Sequence, residues 1–189
     1  MRQNGYLVLV TSLVAIASTG TSIWMVAGIS GFLGAGLALL MLGIAVADHR
    51  HFIIPDELSA ASLVLGIVHA AVTAPASIID SVAIAALRGT ATMLFFLALR
   101  RIYVLLRRRE GLGLGDVKLA LVAGVWLDWV MIPVAIEIAA LAALAGYALQ
   151  HLFGKHPITS ITRLPFGLFF APSIWLSWLL GRVIFGLTY

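Results

Sequence analysis

Between Tyr6 and Ala47 the chain carries no charged residue, and that stretch decides which solvent the fold needs. A helix crosses the hydrocarbon core of a bilayer with roughly 20 apolar residues, in a range of about 17–25. The stretch is too long for one crossing and long enough for two. The rest of the chain agrees: 62% of its 189 residues are hydrophobic and 11% are charged, with a mean hydropathy of +1.09. A water-soluble domain carries about 45–50% apolar and about 25% charged residues, and a globule this small has too much surface for its volume to hide the excess. Lipid is therefore the solvent for much of this protein.

Two helices near 5–19 and 23–47 are expected in that stretch, with the polar cluster Ser18-Thr-Gly-Thr-Ser22 as the turn between them. Arg2, the apolar run and the small residues Ala15-Ile-Ala17 also have the form of a removable signal peptide. Apolar character resumes at Ile23, so the segment is read as a retained helix. Asp48-His-Arg-His51 ends the second helix. Pro55 opens a third, since proline suits a first helical turn, and that helix runs to about Thr73. A fourth is expected over about Ile78–Leu99, then a basic loop from Arg100 to Glu110 that ends in Gly111-Leu-Gly-Leu-Gly115. Its apolar filling, Ile102 to Leu106, suits a loop or short helix resting on anionic lipid headgroups.

A short fifth helix over about Asp116–Leu127, a sixth over about Val130–Leu152 and a seventh over about Pro165–Leu187 complete the pattern. The expectation is an all-α polytopic membrane protein with about seven transmembrane helices, six to eight being compatible with the pattern. Residues 1–189 are read as a single integral-membrane domain. Alternating seven helices places Arg2, Arg50, the Arg100–Arg109 cluster, Lys118, Lys155 and Arg163 on one side. That is ten of the twelve Lys and Arg residues, with Arg88 and Arg182 left over. The positive-inside rule makes that side the cytoplasm. The net charge of +4 thus orients the chain against membrane lipid, and no nucleic-acid partner is expected. With no cysteine, disulfides, thiolate metal sites and cysteine nucleophiles are excluded.

Asp48 and Asp116 fall at the same membrane face, one ending a helix and the other beginning one. Two carboxyls held close share a proton, and such a pair can activate water and protonate a leaving group. Either aspartate alone would be read as a helix boundary. The glycines of Gly111-Leu-Gly-Leu-Gly-Asp-Val-Lys-Leu119 add backbone freedom that an extended substrate would use.

Residues 113–119, GLGDVKL, resemble the second motif of the type IV prepilin peptidases, which share Gly-x-Gly-Asp with the preflagellin peptidases and presenilin-like proteases. Asp48 followed by Ile54-Pro-Asp-Glu-Leu58 is similar to the family's first motif. Ala123-Gly-Val-Trp-Leu127 and Leu164-Pro-Phe-Gly167 resemble stretches that follow in the same order, so the likeness covers about residues 30–180. It implies a membrane aspartic endopeptidase that cleaves the leader from type IV prepilins or pseudopilins at the cytoplasmic face of a bacterial inner membrane. Asp48 and Asp116 would be catalytic. Gly113, Gly115, Lys118, Pro55, Asp56, Pro165, Phe166 and Gly167 would bind substrate or shape the site, with no metal and no cofactor. Lacking cysteines and an N-terminal insertion, the chain resembles a minimal form without the methyltransferase segment. Leu168 stands where the family often has a second proline.

Other readings compete. Asp116 at a helix N-terminus is expected to be the more readily ionised partner, and Asp48 at a helix C-terminus the proton holder. On a regular helix Lys118 points about 200° away from Asp116. Asp56 and Glu57 suit the first turn of a helix. His49, His51, Asp48 and Asp56 also have the residue types of a metal site. Arg88 and Glu137 fall deep within the fourth and sixth helices, where charges seek partners; an Arg88–Glu137 ion pair that fixes packing is one reading, and a proton or ion pathway is the other. A small ion- or proton-coupled transporter using Asp48, Asp116, Arg88 and Glu137 is the alternative from another class. The oligomeric state is left open.

Overall fold

The computed structural model describes residues 2–74, 77–108, 111–153 and 165–186. Among these lie seven helices: α1 (Arg2–Met25), α2 (Ile29–His51), α3 (Asp56–Val72), α4 (Ile78–Arg107), α5 (Leu114–Trp126), α6 (Met131–Phe153) and α7 (Phe166–Val183). Five of them, α1, α2, α4, α6 and α7, are long and apolar enough to cross a membrane. The protein is an all-α, multi-pass membrane protein, as its composition requires.

The first expected turn lies elsewhere. Ser18 to Ser22 sit inside α1, because their hydroxyls bond to their own helix. Thr19 and Thr21 donate to the carbonyls of Ala15 and Ala17, both at 2.7 Å, and Ser22 to Ser18 at 2.8 Å. A hydroxyl satisfied one turn back needs no water. The chain turns instead around Gly28, whose φ of 74° suits a residue without a Cβ. The Ser22 hydroxyl also accepts the Trp175 indole N–H at 2.9 Å, tying α1 to α7.

α4 also exceeds its expected length. Its 30 residues reach about 45 Å at the helical rise, against a hydrocarbon core of about 30 Å. Arg100, Arg101 and Arg107 are therefore helical rather than in a loop. Arg and Leu are strong helix formers, and no glycine or proline interrupts them before Gly111. Arg109, Glu110, Lys155, Arg163 and Leu164 lie outside the described residues.

α5 is the opposite case. Thirteen residues make about 20 Å of helix, too short to cross alone. It is instead enclosed, packing on α3, α4 and α7, with Leu119 and Ala120 wholly buried. Close approach to α4 depends on Gly124: a Cβ there would lie 2.5 Å from the Arg88 carbonyl oxygen. Small residues let membrane helices meet backbone to backbone in this way. Leu37, Met41 and Ile44 of α2 and Phe170, Ile174 and Trp178 of α7 complete the buried centre.

At the end where α5 and α7 finish, a polar cluster closes the bundle. His69 Nε2 lies 3.0 Å from both Ser30 Oγ and Arg182 Nη2, and its ring stacks on Trp126 at 4.8 Å. The guanidinium is donor-only, so this nitrogen serves it as an acceptor. The Trp126 indole donates to the Ser62 carbonyl at 2.8 Å. Arg88 pairs with Asp128 at 2.8 Å rather than with Glu137. Asp128, half-buried in the link between α5 and α6, reaches the Arg88 side chain of α4, whereas Glu137 faces a groove on the outside between α4 and α6.

Candidate active site

Asp48 occupies the last turn of α2 and is 6% exposed. α2 continues past it to His51, then stops at Phe52 in the left-handed region. The chain there turns inward through Ile54 before Pro55 caps α3. The Asp48 carboxylate does not look back along its own helix. Its Oδ2 accepts the Leu168 backbone N–H at 2.8 Å, in the first turn of α7. Free N–H groups and the helix dipole make such a terminus a seat for an anion.

Asp116 is the third residue of α5, after the N-cap Gly113. Its Oδ2 accepts the Gly113 N–H at 3.2 Å, the arrangement by which an acid at this position secures a helix start. The two carboxyls open onto one cavity of about 300 Å³, lined also by Phe52, Ile53, Ile54, Asp56, Gly113, Leu114, Gly115 and Lys118.

Two glycines make room for this meeting. A Cβ on Gly167 would lie 2.8 Å from Asp48 Oδ2 and 3.0 Å from Ile54 Cδ1. A Cβ on Gly115 would lie 3.0 Å from Ile54. Ile54 is thus wedged between α5 and α7, and any larger residue at either glycine would push on it or on Asp48.

Lys118 lines the same cavity as Asp116, and its ammonium pairs with Asp56 in the first turn of α3. Both side chains are exposed at the cavity rim, so the pair contributes little, about 0–1 kcal/mol. Pro55 and Pro165 stand as the N-caps of α3 and α7. Phe166 stacks on Phe170 at 5.3 Å, and Phe170 on Phe96 at 5.5 Å. Of the ten expected site residues, Asp48, Asp56, Gly113, Gly115, Asp116 and Lys118 line the cavity. Gly167 abuts Asp48, and the remaining three frame helix starts or pack behind. Ile54 and the Leu168 N–H were not among them.

Both aspartates are buried, at 6% and 9% exposed. Burial pushes the Asp116 carboxyl up to about 6; the Gly113 N–H opposes the rise and the Asp48 charge adds to it. Asp48 has meanwhile acquired the N-terminus of a second helix as its partner. Among the described residues, His49 faces a separate apolar groove between α1, α2 and α7, and no three His, Cys, Asp or Glu side chains gather as a metal site.

Comparison with known proteins bears on this cavity. The type IV leader peptidase family profile matches residues 32–149, a span that contains both aspartates. The chain is 28% identical over 177 residues to the prepilin leader peptidase/N-methyltransferase of Aeromonas hydrophila, covering 93% of this chain and 59% of that protein. It is 32% identical over 140 residues to the leader peptidase HopD of Escherichia coli, covering 71% of this chain and 86% of the relative. The HopD of Salmonella typhimurium is 33% identical over 131 residues, covering 68% of this chain and 78% of the relative. No solved structure matches. A match over more than half of the sequence, together with relatives that align over most of their own length, places the chain in the type IV leader peptidase family.

Proposed function

We propose that the chain is an aspartic endopeptidase that removes the leader from prepilins or prepilin-like proteins at the membrane edge. One observation carries the reading: carboxyls from α2 and α5 open onto one cavity, each held by a backbone N–H from a helix start. Family membership supports the substrate class and weighs against a transporter.

In this reading Asp48 is the ionised partner and Asp116 holds the proton. A water between them gives a proton to Asp48 as its oxygen attacks the scissile carbonyl carbon. Asp116 donates its proton to the carbonyl oxygen, forming a neutral tetrahedral diol. Collapse of that diol breaks the C–N bond, while the proton held by Asp48 passes to the leaving amine. Asp116 recovers a proton from the hydroxyl that becomes the new carbonyl. No covalent enzyme intermediate forms. Gly113, Gly115 and Gly167 keep the cavity open to an extended backbone. Pro55 and Pro165 fix the helix starts around it, Phe166 backs it, and Asp56 with Lys118 forms its polar rim. The chain acts as one membrane domain with the cavity on the cytoplasmic face of the inner membrane, the side that the positive-inside rule assigns to it.

The test is cleavage of a co-expressed prepilin by wild type, Asp48→Asn and Asp116→Asn, with protein levels in the membrane measured. Each substitution is expected to lower processing by about a hundredfold or more, as loss of a general acid or base does, while the protein still accumulates. Wild-type processing by either variant would remove that aspartate from the mechanism.

A further inference from the structure

Arg100 differs from its basic neighbours. Arg101, Arg107 and Arg108 are exposed, whereas Arg100 is half-buried and turned toward the glycine-rich loop that precedes α5. Its Nε–H donates to the Leu112 carbonyl at 3.0 Å. One turn further along the same face of α4, the Tyr103 ring lies so close to the loop that it leaves no room for a Cβ on Gly111. The length of α4 brings both side chains there, since a helix ending near Leu99 would present neither.

The Leu112 carbonyl belongs to the peptide that continues into the Gly113 N–H, and that N–H donates to Asp116 Oδ2 at 3.2 Å. Carbonyl oxygen and N–H stand on opposite edges of one planar, resonance-coupled unit. A cation at the oxygen makes the N–H a stronger donor, and hydrogen bonds in a chain strengthen one another by about 10–30% per bond. Arg100, the Leu112–Gly113 peptide and the Asp116 carboxyl therefore lie on one line of hydrogen bonds that begins at a fixed positive charge. The chemistry at Asp116 has a use for it. Burial and the Asp48 charge both push that carboxyl up, and the Gly113 N–H opposes them. An acid that holds its proton too tightly transfers it poorly, and the best value lies near the operating pH.

We infer that Arg100 is a positioning residue for Asp116: through the Leu112–Gly113 peptide it fixes the carboxyl at the cavity and strengthens the backbone hydrogen bond that the carboxyl accepts. This deepens the leader-peptidase reading above and rests on it. Arg100 does not line the cavity and does not touch the reacting atoms. It acts on α5 from α4, and the loop between those helices carries the effect.

The test measures prepilin cleavage against pH in wild type, Arg100→Met, Arg100→Lys and Arg101→Gln. Methionine keeps the apolar stem without an N–H, lysine keeps a cation at similar reach, and Arg101→Gln removes a charge from the exposed neighbour. In the proposed mechanism activity falls on the alkaline side as the aspartate pair loses the proton on Asp116. Among the described residues, the other charged groups at this cavity are Asp48 from α2, Asp56 from α3 and Lys118 from α5 itself. From α7 comes the Leu168 N–H. None of these is altered in the variants.

In Arg100→Met the alkaline limb is expected to move up by about 0.2–0.6 pH units, the size of that strengthening for one charged hydrogen bond. Its kcat is expected to fall about tenfold as the carboxyl loosens. Arg100→Lys is expected to restore most of both, and Arg101→Gln to change neither. A limb that stays in place in Arg100→Met, or moves as far in Arg101→Gln, would overturn the assignment and leave Arg100 a tether or a part of the basic surface. If Arg100→Met does not accumulate, Arg100→Gln decides by the same criterion; it keeps a neutral N–H, and a smaller move in the same direction is expected. The infrared band of the protonated Asp116 carboxyl, taken as the difference from Asp116→Asn, follows the same titration without cleavage. Failure of the wild type to process the prepilin would sink the peptidase reading, and that band would still decide whether Arg100 acts on Asp116.

Discussion

Asp116 and Trp126 stand near the two ends of α5, and their surroundings differ in kind. Around Asp116 there are glycines, an open cavity and a second carboxyl. Around Trp126 there are a stacked imidazole, an edge-on Trp178 and the buried Ser62 carbonyl that its indole bonds. The Arg88–Asp128 pair and the Arg182–His69 contact close that end with charge-assisted bonds, the stronger kind. One end thus holds like charges near each other with little side-chain bulk, and the other holds opposite or complementary groups with maximal bulk. In the proposed reading the open end gives up stability for reactivity, and the contacts at the closed end join α2, α3, α5 and α7.

The comparison breaks first at Asp128. Asp128→Asn removes the carboxylate charge that pairs with the Arg88 guanidinium, and with side chains 7% and 31% exposed the loss is expected at about 2–3 kcal/mol, below that of a fully buried pair. The expected outcome is a large loss of thermal stability in detergent or less protein in the membrane, with near-normal cleavage per folded molecule. If cleavage per folded molecule falls as far as it does in Asp116→Asn, the two ends are not separable.

Gly167→Ala tests the open end by bulk rather than charge. The added methyl would press on Asp48 Oδ2 and Ile54, and misplacing a reacting group by about 1 Å costs up to about a hundredfold in rate. Cleavage is expected to drop about tenfold or more while stability changes little. A variant that loses stability and keeps its rate would show that the Asp48–Leu168 contact is a packing feature.

The smallest signal is a pH slope. Burial pushes the Asp116 carboxyl up to about 6 from its ordinary 3.8, so the folded state holds that proton more tightly than the unfolded one. The favourable difference is fully present below pH 3.8 and is lost as pH rises through about 6. Thermal melts of wild type and Asp116→Asn between those limits should therefore diverge, with the wild type losing relative stability as pH rises. Parallel curves would mean that Asp116 titrates in the fold as it does in the open chain.

The sequence already shows the membrane class and the helix count, because each rests on residue type and spacing, whereas the two aspartates stand out only through the motifs that resemble the family. Leu168 as the donor to Asp48 was not legible, since a backbone N–H carries no sequence signal and its position depends on where α7 begins. One reading matched Arg88 with Glu137 rather than Asp128 for a related reason: both carboxylates are present in the string, and only packing says which one it reaches. The Ser18–Ser22 cluster was misread because hydroxyls were counted as seeking water, although a helix carbonyl one turn back serves them as well. Ile54 was visible beside Pro55 but unremarkable, because its importance comes from two glycines more than fifty residues away in sequence.

The brevity of α5 has a mechanical consequence. One of its ends is anchored by Trp126 and the other presents Asp116, so the helix acts as a depth gauge that sets how far below the membrane surface the Asp116 carboxyl sits. Each residue in that gauge is worth about 1.5 Å of depth and about 100° of rotation. A single alanine inserted within Val117–Gly124 would therefore both lower the carboxyl and turn it away from Asp48. Depth and aim in this protein are set by one dimension, the length of a helix too short to cross the membrane.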